Sequence, residues 1–310
     1  MDLEAELNKL LDDFRKEAGR IDRALLPPVD KFIKANQGGK RIRGKLVVLG
    51  FQLAAHLRGE NVRWNKAHPG GEILKVAAAY EIFHTALLAH DDIIDKDLIR
   101  RGQPSLYQAL GGDHRGTSLA ISLADAGFFL AIKIISEANF PEKEKNEALK
   151  YFSNTALQTV MGQILDIDVD CDSPRRLASR IIDKGDYFKV ALYKTAKYSV
   201  SGPLILGAIL GGAKSHLGGV RAHLRGGQLF KNLAKFGENL GVAFQIKDDI
   251  LDNEVAWTGG LDSAKNEAKK YENRAMKVLP RITGGSNRAK DKKMSKLLQQ
   301  MAAYLVQRTK

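Results

Sequence analysis

Residues 73–95 read ILKVAAAYEIFHTALLAHDDIID, and this stretch decides the fold. Its apolar residues recur at helical spacing, which predicts one long helix over residues 73–94. The residues that follow this period are Val76, Ala79, Tyr80, Phe83, Leu87 and Ile94. The same period recurs along the chain without an alternating strand pattern, so we predict an all-α fold. The other predicted helices span 3–24, 42–58, 117–138, 142–168, 174–184, 187–210, 228–254, 262–279 and 291–308.

The helices are separated by short breaks rich in glycine. None of these breaks has the length or composition of an interdomain linker. The longest, residues 211–227, mixes glycines with His and Arg and is typical of a solvated loop between helices. We therefore predict a single helical domain over residues 1–310.

One five-residue acidic pattern occurs twice, as DDIID at residues 91–95 and as DDILD at residues 248–252. On a helix the first and last aspartates of each motif lie on one face about 5–6 Å apart, where like charges destabilise the helix. Each motif also follows an apolar run, so its carboxylates lie on or beside a buried face and need a cation. Oxygen ligands without a His/Cys set favour Mg²⁺ over Zn²⁺. The alternative is a solvated acidic helix face, which two copies in apolar surroundings disfavour.

The chain has 49 Lys and Arg against 36 Asp and Glu, a net charge of +13 that indicates an anionic partner. Residues 38–45, GGKRIRGK, place two glycines and four basic residues at a helix start, where free N–H groups bind anions. Arg100 and Arg101 follow the first acidic motif, and Arg suits bidentate phosphate contact. An ordinary basic helix start remains an alternative for the first of these segments.

Three further polar positions stand out in apolar surroundings. Lys194 and Thr195 lie in the middle of a predicted helix among aromatic residues, and Gln245 lies one helical step before the second acidic motif. His84 lies on the same helical face as the first motif. A lone histidine there is compatible with a buried core residue as well as with a ligand.

Composition excludes several other classes of protein. A hydrophobic fraction of 44% excludes disorder, and a single cysteine, Cys171, excludes a disulfide framework. The most apolar stretch, residues 200–213, is too short for a spanning helix. The acidic N-terminus lacks a signal-peptide pattern, so we expect a cytoplasmic protein.

In this order, the motifs resemble those of the trans-prenyl diphosphate synthases, the polyprenyl synthetase family, over roughly residues 35–308. The segments that support the resemblance are 38–43 (GGKRIR), Glu81 with His84, 91–95, 100–102 (RRG), 162–166 (GQILD), 194–195 (KT), 244–252 (FQIKDDILD) and the tail 301–308. The resemblance implies a helical bundle of the isoprenoid synthase type, built as a homodimer, with the two acidic motifs facing each other across a central cavity.

The resemblance also implies the reaction and its residues. Mg²⁺ bound by the aspartates would hold an allylic diphosphate, which ionises and is attacked by isopentenyl diphosphate. The implied metal ligands are Asp91, Asp95 and Asp248, with Asp92, Asp249 and Asp252 as ligands or in contact with them. Arg100 would stabilise the departing diphosphate, and Lys194, Thr195 and Gln245 would line the allylic cation. The implied residues for the diphosphate of isopentenyl diphosphate are Lys40, Arg43, His84 and Arg101.

The sequence departs from the family pattern at two places. Gly44 stands where the family usually has Pro, and we expect this to alter only the helix start. Residues 253–262, NEVAWTGGLD, replace a lysine-containing loop that normally contacts the diphosphate, and no lysine follows until Lys265. Lys247 or Lys265 is a candidate substitute.

Product length in such enzymes depends on the side chains below the first acidic motif. Ala86 is small where short-chain members often have an aromatic residue, and Phe83 and Tyr80 lie one and two turns deeper. We therefore expect Phe83 and Tyr80 to form the floor and the product to have geranylgeranyl length or more.

Three other functions compete with this hypothesis. A catalytically weak subunit that regulates another synthase is suggested by the altered loop after Asp252. A terpene cyclase needs no isopentenyl site, so the basic residues listed above argue against it. No helix-turn-helix, zinc-finger or RNA-binding motif is present, so we expect no specific nucleic-acid partner.

The charge that the site does not use, including residues 290–296, is compatible with peripheral contact with an anionic membrane.

Overall fold

A computed structural model describes residues 2–59, 69–171, 183–213, 226–252, 255, 260–283 and 289–306, and these residues are almost entirely helical. The helices are α1 (Leu3–Ile21), α2 (Leu26–Ala35), α3 (Ile42–Leu57), α4 (Pro69–Ile94), α5 (Leu106–Ala109), α6 (His114–Glu137), α7 (Glu142–Cys171), α8 (Lys184–Val190), α9 (Gly202–Leu210), α10 (Gly226–Asp252), α11 (Gly260–Met276), α12 (Leu279–Thr283) and α13 (Ala289–Val306). A 3₁₀ turn, Arg23–Leu25, precedes α2, and a π-helical segment, Ala191–Ser201, joins α8 to α9. The predicted all-α class is confirmed.

Three features differ from the sequence prediction. The Pro27–Pro28 pair lies inside the first turn of α2, where the missing N–H groups cost no helical hydrogen bond. Strands β1 (Ile99–Arg100) and β2 (Gln103–Pro104) form a short antiparallel ribbon in which Arg100 pairs with Gln103. The predicted helix 187–210 is divided by its π-helical segment. The predicted helix at 174–184 and the basic loop at 211–227 lie largely outside the described residues.

Contacts divide the chain into two compact units, and each is described here by itself. The first comprises residues 1–48 and 61–149. Its centre is α4, whose residues are buried on nearly all sides between α1 and α6. An apolar helix of this kind belongs in a core. Fully buried side chains in this unit are Leu7, Leu11, Phe32, Leu46, Ile73, Tyr80, Ile82 and Ile135.

The second unit comprises residues 49–60 and 150–310. Here α10 packs along the π-helical segment and along α11. Fully buried side chains in this unit include Leu53, Leu204, Leu206 and Phe236. The two units therefore present one acidic motif each, and the prediction of a single domain stays a prediction.

Among the described helices, α6 has the length and apolar composition that would suffice to cross a membrane. Core helices of water-soluble proteins meet the same criterion, and about 39% of its most apolar window is buried within the protein. We draw no membrane topology from it.

Candidate active site

The first acidic motif forms the end of α4. Asp91 and Asp92 lie in its last turn, and Asp95 is the first residue after it. The N–H of Asp95 donates to the carbonyl of Asp91 at 2.8 Å, so helical spacing continues through the motif. The predicted arrangement of Asp91 and Asp95 on one face is therefore present.

The middle residue of this motif, Asp92, is bound to Arg100. Arg100 Nε donates to Asp92 Oδ1 at 2.7 Å, and its second nitrogen, Nη2, contacts both Asp92 and Asp97. Asp92 is only 3% exposed. Burial raises the pKa of the Asp92 carboxyl, and the hydrogen bond and charge of Arg100 oppose that rise. Both Asp92 and Arg100 are thus committed largely to each other.

Arg101, next along the ribbon, extends to the glycines of the basic segment. Its Nη1 donates to the carbonyl of Gly38 at 3.5 Å. A Cβ at Gly39 would lie 3.0 Å from Arg101 Cζ, so glycine is what lets the guanidinium pack there. The predicted diphosphate residue Arg101 and the segment that contains Lys40 and Arg43 are therefore neighbours within the first unit.

His84 is buried on α4 among arginines. Its pKa is well below the ordinary value because burial disfavours the charged ring, and Arg43, Arg101, Arg100 and Arg41 add to that effect. The imidazole is neutral at neutral pH. It can therefore offer an anion a neutral N–H donor within a cationic environment.

Gly44 does more than alter the start of α3, so that expectation was incomplete. Its N–H donates to Glu81 Oε1 at 2.7 Å, a bond that the proline usual in the family cannot make. A Cβ at Gly44 would also lie 2.8 Å from Leu3 Cδ2 and 3.0 Å from the Ala77 carbonyl oxygen. Glycine therefore permits both the hydrogen bond and the close contact with α1.

The second acidic motif forms the end of α10, in the second unit. Its middle residue, Asp249, accepts hydrogen bonds from the Tyr187 hydroxyl and from Gln245 Nε2, the latter at 2.7 Å. Gln245 Oε1 in turn accepts from Thr195 Oγ1 at 2.7 Å. The predicted residues Thr195 and Gln245 thus belong to one network with the motif.

Lys194 lies in the π-helical segment next to Thr195. Its Nζ is 2.5 Å from Asp166 Oδ2 on α7, the aspartate of the GQILD motif. A Cβ at Gly162 would overlap the backbone of Lys194, so the glycine of that motif allows α7 to approach. Helical segments with π geometry are frequent at functional sites because they displace side chains from the regular helical positions.

The acidic motifs provide the kind of oxygen ligands expected for the Mg²⁺ that the sequence implies. Within the described residues no three His, Cys, Asp or Glu side chains converge as a ready metal site. Each motif offers carboxylate oxygens at helical spacing, and Mg²⁺ is often bound by one or two carboxylates together with substrate phosphates. The donor chemistry therefore fits Mg²⁺ bound together with a diphosphate, with Asp92 and Asp249 held by other side chains.

The residues expected to set product length lie in an aromatic cluster of the first unit. The ring centroids of Tyr80 and Phe83 are 5.9 Å apart, and those of Phe83 and Phe128 are 5.5 Å apart. Ala86 packs against α6. A Cβ added at Gly127 of α6 would lie 3.1 Å from the Cβ of Ala86. Ala86 and Gly127 are therefore in close contact.

Two residues of this site were not assigned a role from the sequence. Tyr187 lies two helical turns before Lys194, a spacing that could have placed it on the same face, but its partner Asp249 is 62 residues away. Glu4 pairs with Arg41 across 37 residues and gives no local signal. Most of the altered loop, residues 253–254 and 256–259, lies outside the described residues.

Comparisons with known proteins agree with these motifs. The model of the polyprenyl synthetase family matches residues 25–256. A geranylgeranyl diphosphate synthase of Methanosarcina mazei is 28% identical over 256 residues, which cover 79% of this chain and 68% of that protein. A geranylfarnesyl diphosphate synthase of Aeropyrum pernix is 29% identical over 217 residues, which cover 69% of this chain and 57% of that protein.

A solved structure shares the fold. The crystal structure of geranylgeranyl pyrophosphate synthase from Corynebacterium glutamicum, complexed with isoprenyl diphosphate and magnesium, has a TM-score of 0.70 at 19% identity, with 100% of both chains covered. Because the family model matches most of the chain, and the motifs within that range hold the contacts described above, the protein belongs to the polyprenyl synthetase family of trans-isoprenyl diphosphate synthases.

Proposed function

We propose that the protein is a Mg²⁺-dependent prenyltransferase that joins isopentenyl diphosphate to an allylic prenyl diphosphate. The observation that supports this most directly is the first unit's arrangement of the 91–95 motif beside half-buried Arg100 and neutral His84. This is an anion site next to a carboxylate pair. The family's known members and the magnesium complex of the related structure support the same assignment.

The allylic diphosphate is bound through the acidic motifs. Asp91, Asp95 and Asp248 are the proposed Mg²⁺ ligands, and Asp252 lies one turn after Asp248 on α10. When bound, Mg²⁺ neutralises the charge that develops on the departing diphosphate. Arg100 contributes positive charge on the same side, and its bonds to Asp92 and Asp97 fix the orientation of its guanidinium.

Isopentenyl diphosphate is bound by the basic residues of the first unit. Lys40 is exposed, Arg43 lies in the first turn of α3, and Arg101 packs on the glycines before them. His84 supplies a neutral donor at the buried side. These groups hold the second diphosphate while its double bond attacks the allylic carbon.

Lys194, Thr195 and Gln245 act on the allylic cation. The Thr195–Gln245–Asp249 network orients polar oxygen atoms without an unpaired buried charge. Such preorganised dipoles stabilise developing positive charge. After the new bond forms, the isopentenyl unit carries a tertiary cation; a proton leaves the CH₂ group adjacent to that cation to form the new double bond, and we assign its acceptance to the released diphosphate.

We propose a product of geranylgeranyl length or longer, limited by Phe83 and Tyr80. The Phe83→Ala variant removes a ring from the aromatic cluster, so it should yield products longer by at least one isoprene unit. Chromatography of radiolabelled products measures this. Phe236→Ala, which removes a buried ring from the second unit, should leave the product length unchanged. An unchanged distribution in Phe83→Ala would exclude Phe83 as the floor.

We also propose a homodimer formed through an exposed apolar face of α6. Ile121, Phe129 and Ile132 lie along this face, and Phe129 is 71% exposed. Exposed apolar stripes of this kind mark protein–protein contacts. Phe129→Glu should convert the dimer to a monomer in light scattering, and a wild-type monomer would refute this part of the proposal.

The assignment to the cytoplasm and the contact with an anionic membrane are also proposals. Lys292, Lys293 and Lys296 are exposed at the start of α13, and none of them is given a catalytic role. Clustered lysines are attracted to anionic lipid surfaces. Sedimentation with vesicles tests this contact. Binding to anionic but not to neutral lipid would indicate a charge-driven contact, and binding to neither would exclude it.

A second candidate is a catalytically weak subunit that regulates another synthase. The feature that favours it is the sequence 253–262, which lacks the lysine of the family's loop. Two acidic motifs with complete sets of aspartates argue for activity.

The deciding experiment is incubation of the protein with Mg²⁺, labelled isopentenyl diphosphate and, in turn, dimethylallyl, geranyl, farnesyl and geranylgeranyl diphosphates. We expect elongation of at least one primer. Absence of elongation with every primer would overturn the proposed activity and leave the regulatory subunit as the better hypothesis.

A further inference from the structure

Helix α1 contacts the basic segment 38–45 through a bidentate ion pair. Arg41 Nε and Nη2 donate to Glu4 Oε2 and Oε1, each at 2.7 Å. The Arg41 side chain is 7% exposed and that of Glu4 is 42% exposed. The hydrogen bond from Arg41 lowers the pKa of Glu4, so the pair is charged at neutral pH. Bidentate pairs of this type fix both distance and orientation.

Arg41 occupies an unusual backbone conformation. Its φ is +50°, and that of Arg101, the other arginine beside the glycines, is +54°. A side chain with a Cβ adopts this left-handed region only when its surroundings hold it there. Glu4 is the partner that holds the Arg41 side chain, and Lys40 and Arg43 flank that residue in the chain.

A second contact joins α1 to the same segment. Leu3 packs against Gly44 so closely that a Cβ at this position would lie 2.8 Å from Leu3 Cδ2. The Gly44 N–H donates to Glu81, one turn before His84 on α4. The glycine that departs from the family pattern is therefore the residue that α1 requires.

The charge of Arg41 also matters for the site. Arg41 is one of four arginines that lower the pKa of His84, so it lies within electrostatic range of the diphosphate residues. Glu4 neutralises Arg41 and keeps its guanidinium directed toward α1. Lys40, Arg43 and Arg101 are other cationic residues of the basic segment and the adjoining ribbon.

We propose that α1 contributes to the isopentenyl diphosphate site. In this proposal Glu4, acting through Arg41, positions Lys40 and Arg43. Gly44 makes the contact between α1 and the basic segment possible. Glu4 is a positioning residue, since it does not touch the substrate. The residues of α1 precede the range 25–256 that the family model matches, so the family pattern does not account for this contact. The inference rests on the function proposed above.

The test is titration calorimetry with isopentenyl diphosphate alone, since no turnover is possible without an allylic primer. We expect Glu4→Gln to weaken binding about five- to tenfold, a coupling at the low end of those between neighbouring sites. Gly44→Pro, which removes the N–H donor and crowds Leu3, should weaken it at least as much. In the Arg41→Met background, Glu4→Gln should have no further effect.

A matched control breaks a similar pair on the same helix. Arg15 of α1 binds Asp30 through two hydrogen bonds, at 2.6 and 3.1 Å, away from the basic segment. Asp30→Asn should leave the affinity within about twofold of wild type, as expected for an exposed pair. In steady-state kinetics Glu4→Gln should raise KM for isopentenyl diphosphate while kcat and KM for the primer stay near wild type.

The outcomes separate the two proposals. Equal affinity of wild type and Glu4→Gln for isopentenyl diphosphate would overturn the role of α1 alone. Equal losses in Glu4→Gln and Asp30→Asn would show that α1 acts only through general stability, which also overturns it. Failure of the wild-type protein to bind isopentenyl diphosphate would overturn the proposed function, and this inference with it.

Discussion

The two acidic motifs have the same residue pattern but different surroundings. In the first, the middle aspartate, Asp92, is buried and bound by a charged partner, Arg100. In the second, Asp249 is bound by two neutral partners, the Tyr187 hydroxyl and the Gln245 amide. Around the first motif lie arginines and a neutral histidine. Near the second lies an apolar cluster that includes Tyr187, Ala191 and Ile246.

This difference indicates two ways to hold the middle carboxylate of an acidic motif. A buried ion pair loses much of its Coulomb energy to desolvation, yet removing one partner leaves an uncompensated charge. Removing a neutral hydroxyl or amide costs one hydrogen bond to the carboxylate but does not change the net charge of the group of side chains, since that partner carried none. We therefore expect the first motif to be the more sensitive to loss of its partner.

The largest expected effect comes from substituting the first aspartate of each acidic motif, a position at which the two motifs do not differ. Asp91→Asn and Asp248→Asn each remove a proposed Mg²⁺ ligand, so turnover should fall by about three orders of magnitude while the fold persists. Steady-state assays and circular dichroism measure the two properties. Asp12→Asn, which alters an exposed pair with Lys16, is the control and should retain full activity. Normal turnover in either variant would remove that residue from the metal site.

Next in size is the loss of the charged partner in the first motif. Arg100→Met leaves the Asp92 carboxylate buried and unpaired, so the free energy of unfolding should fall by about 2 kcal/mol, a value reduced because Arg100 is 34% exposed. Urea denaturation measures it. Adding Asp92→Leu to Arg100→Met should restore much of the stability but none of the activity. If the single variant is as stable as wild type, the pair does not hold the motif.

A smaller effect is expected from the neutral partner in the second motif. Tyr187→Phe removes the hydroxyl and keeps the ring, whose centroid lies 5.5 Å from that of Phe188. Loss of one hydrogen bond to a charged group should lower the free energy of unfolding by about 1.5 kcal/mol and turnover by about tenfold. A loss equal to that of Arg100→Met would remove the distinction between the two motifs.

Local patterns in the sequence predicted most of the described helices and the helical spacing of the first acidic motif. The helix predicted at 73–94 is α4, Pro69–Ile94, because its apolar period is long and uninterrupted. The 91–95 motif keeps the helical spacing on which its interpretation depended. The glycines of the basic segment also lie beside Arg101, in keeping with the resemblance, which implies that Lys40, Arg43 and Arg101 bind one diphosphate.

Other features depend on contacts that no local pattern contains. Helix α2 contains Pro27–Pro28 in its first turn. In the sequence such a pair indicates a break between helices, and only the folded chain shows that it lies inside a helix start. The two-residue strands are too short to give an alternating pattern. Asp249 and Tyr187 are 62 residues apart, and Arg41 and Glu4 are 37 apart, so these partners become visible only in the folded chain.

The smallest expected effect is a pH dependence that belongs to the first unit. His84 has a pKa well below its ordinary value, about 6.5, because it is buried among arginines. Between those two pKa values the unfolded chain binds the proton and the folded chain does not, so stability falls as the pH is lowered. This term amounts to about 0.7 kcal/mol between pH 7 and pH 6.

The His84→Gln variant isolates this term. Its free energy of unfolding should fall less than that of wild type over the same pH range, and urea denaturation at both pH values gives the difference. Tyr187, the neutral partner in the second motif, has a pKa raised by burial and by Asp249, so it keeps its proton throughout and contributes no slope. Equal slopes in wild type and His84→Gln would mean that His84 does not stay neutral in the folded protein. A neutral histidine would then no longer be one of the differences between the surroundings of the two motifs.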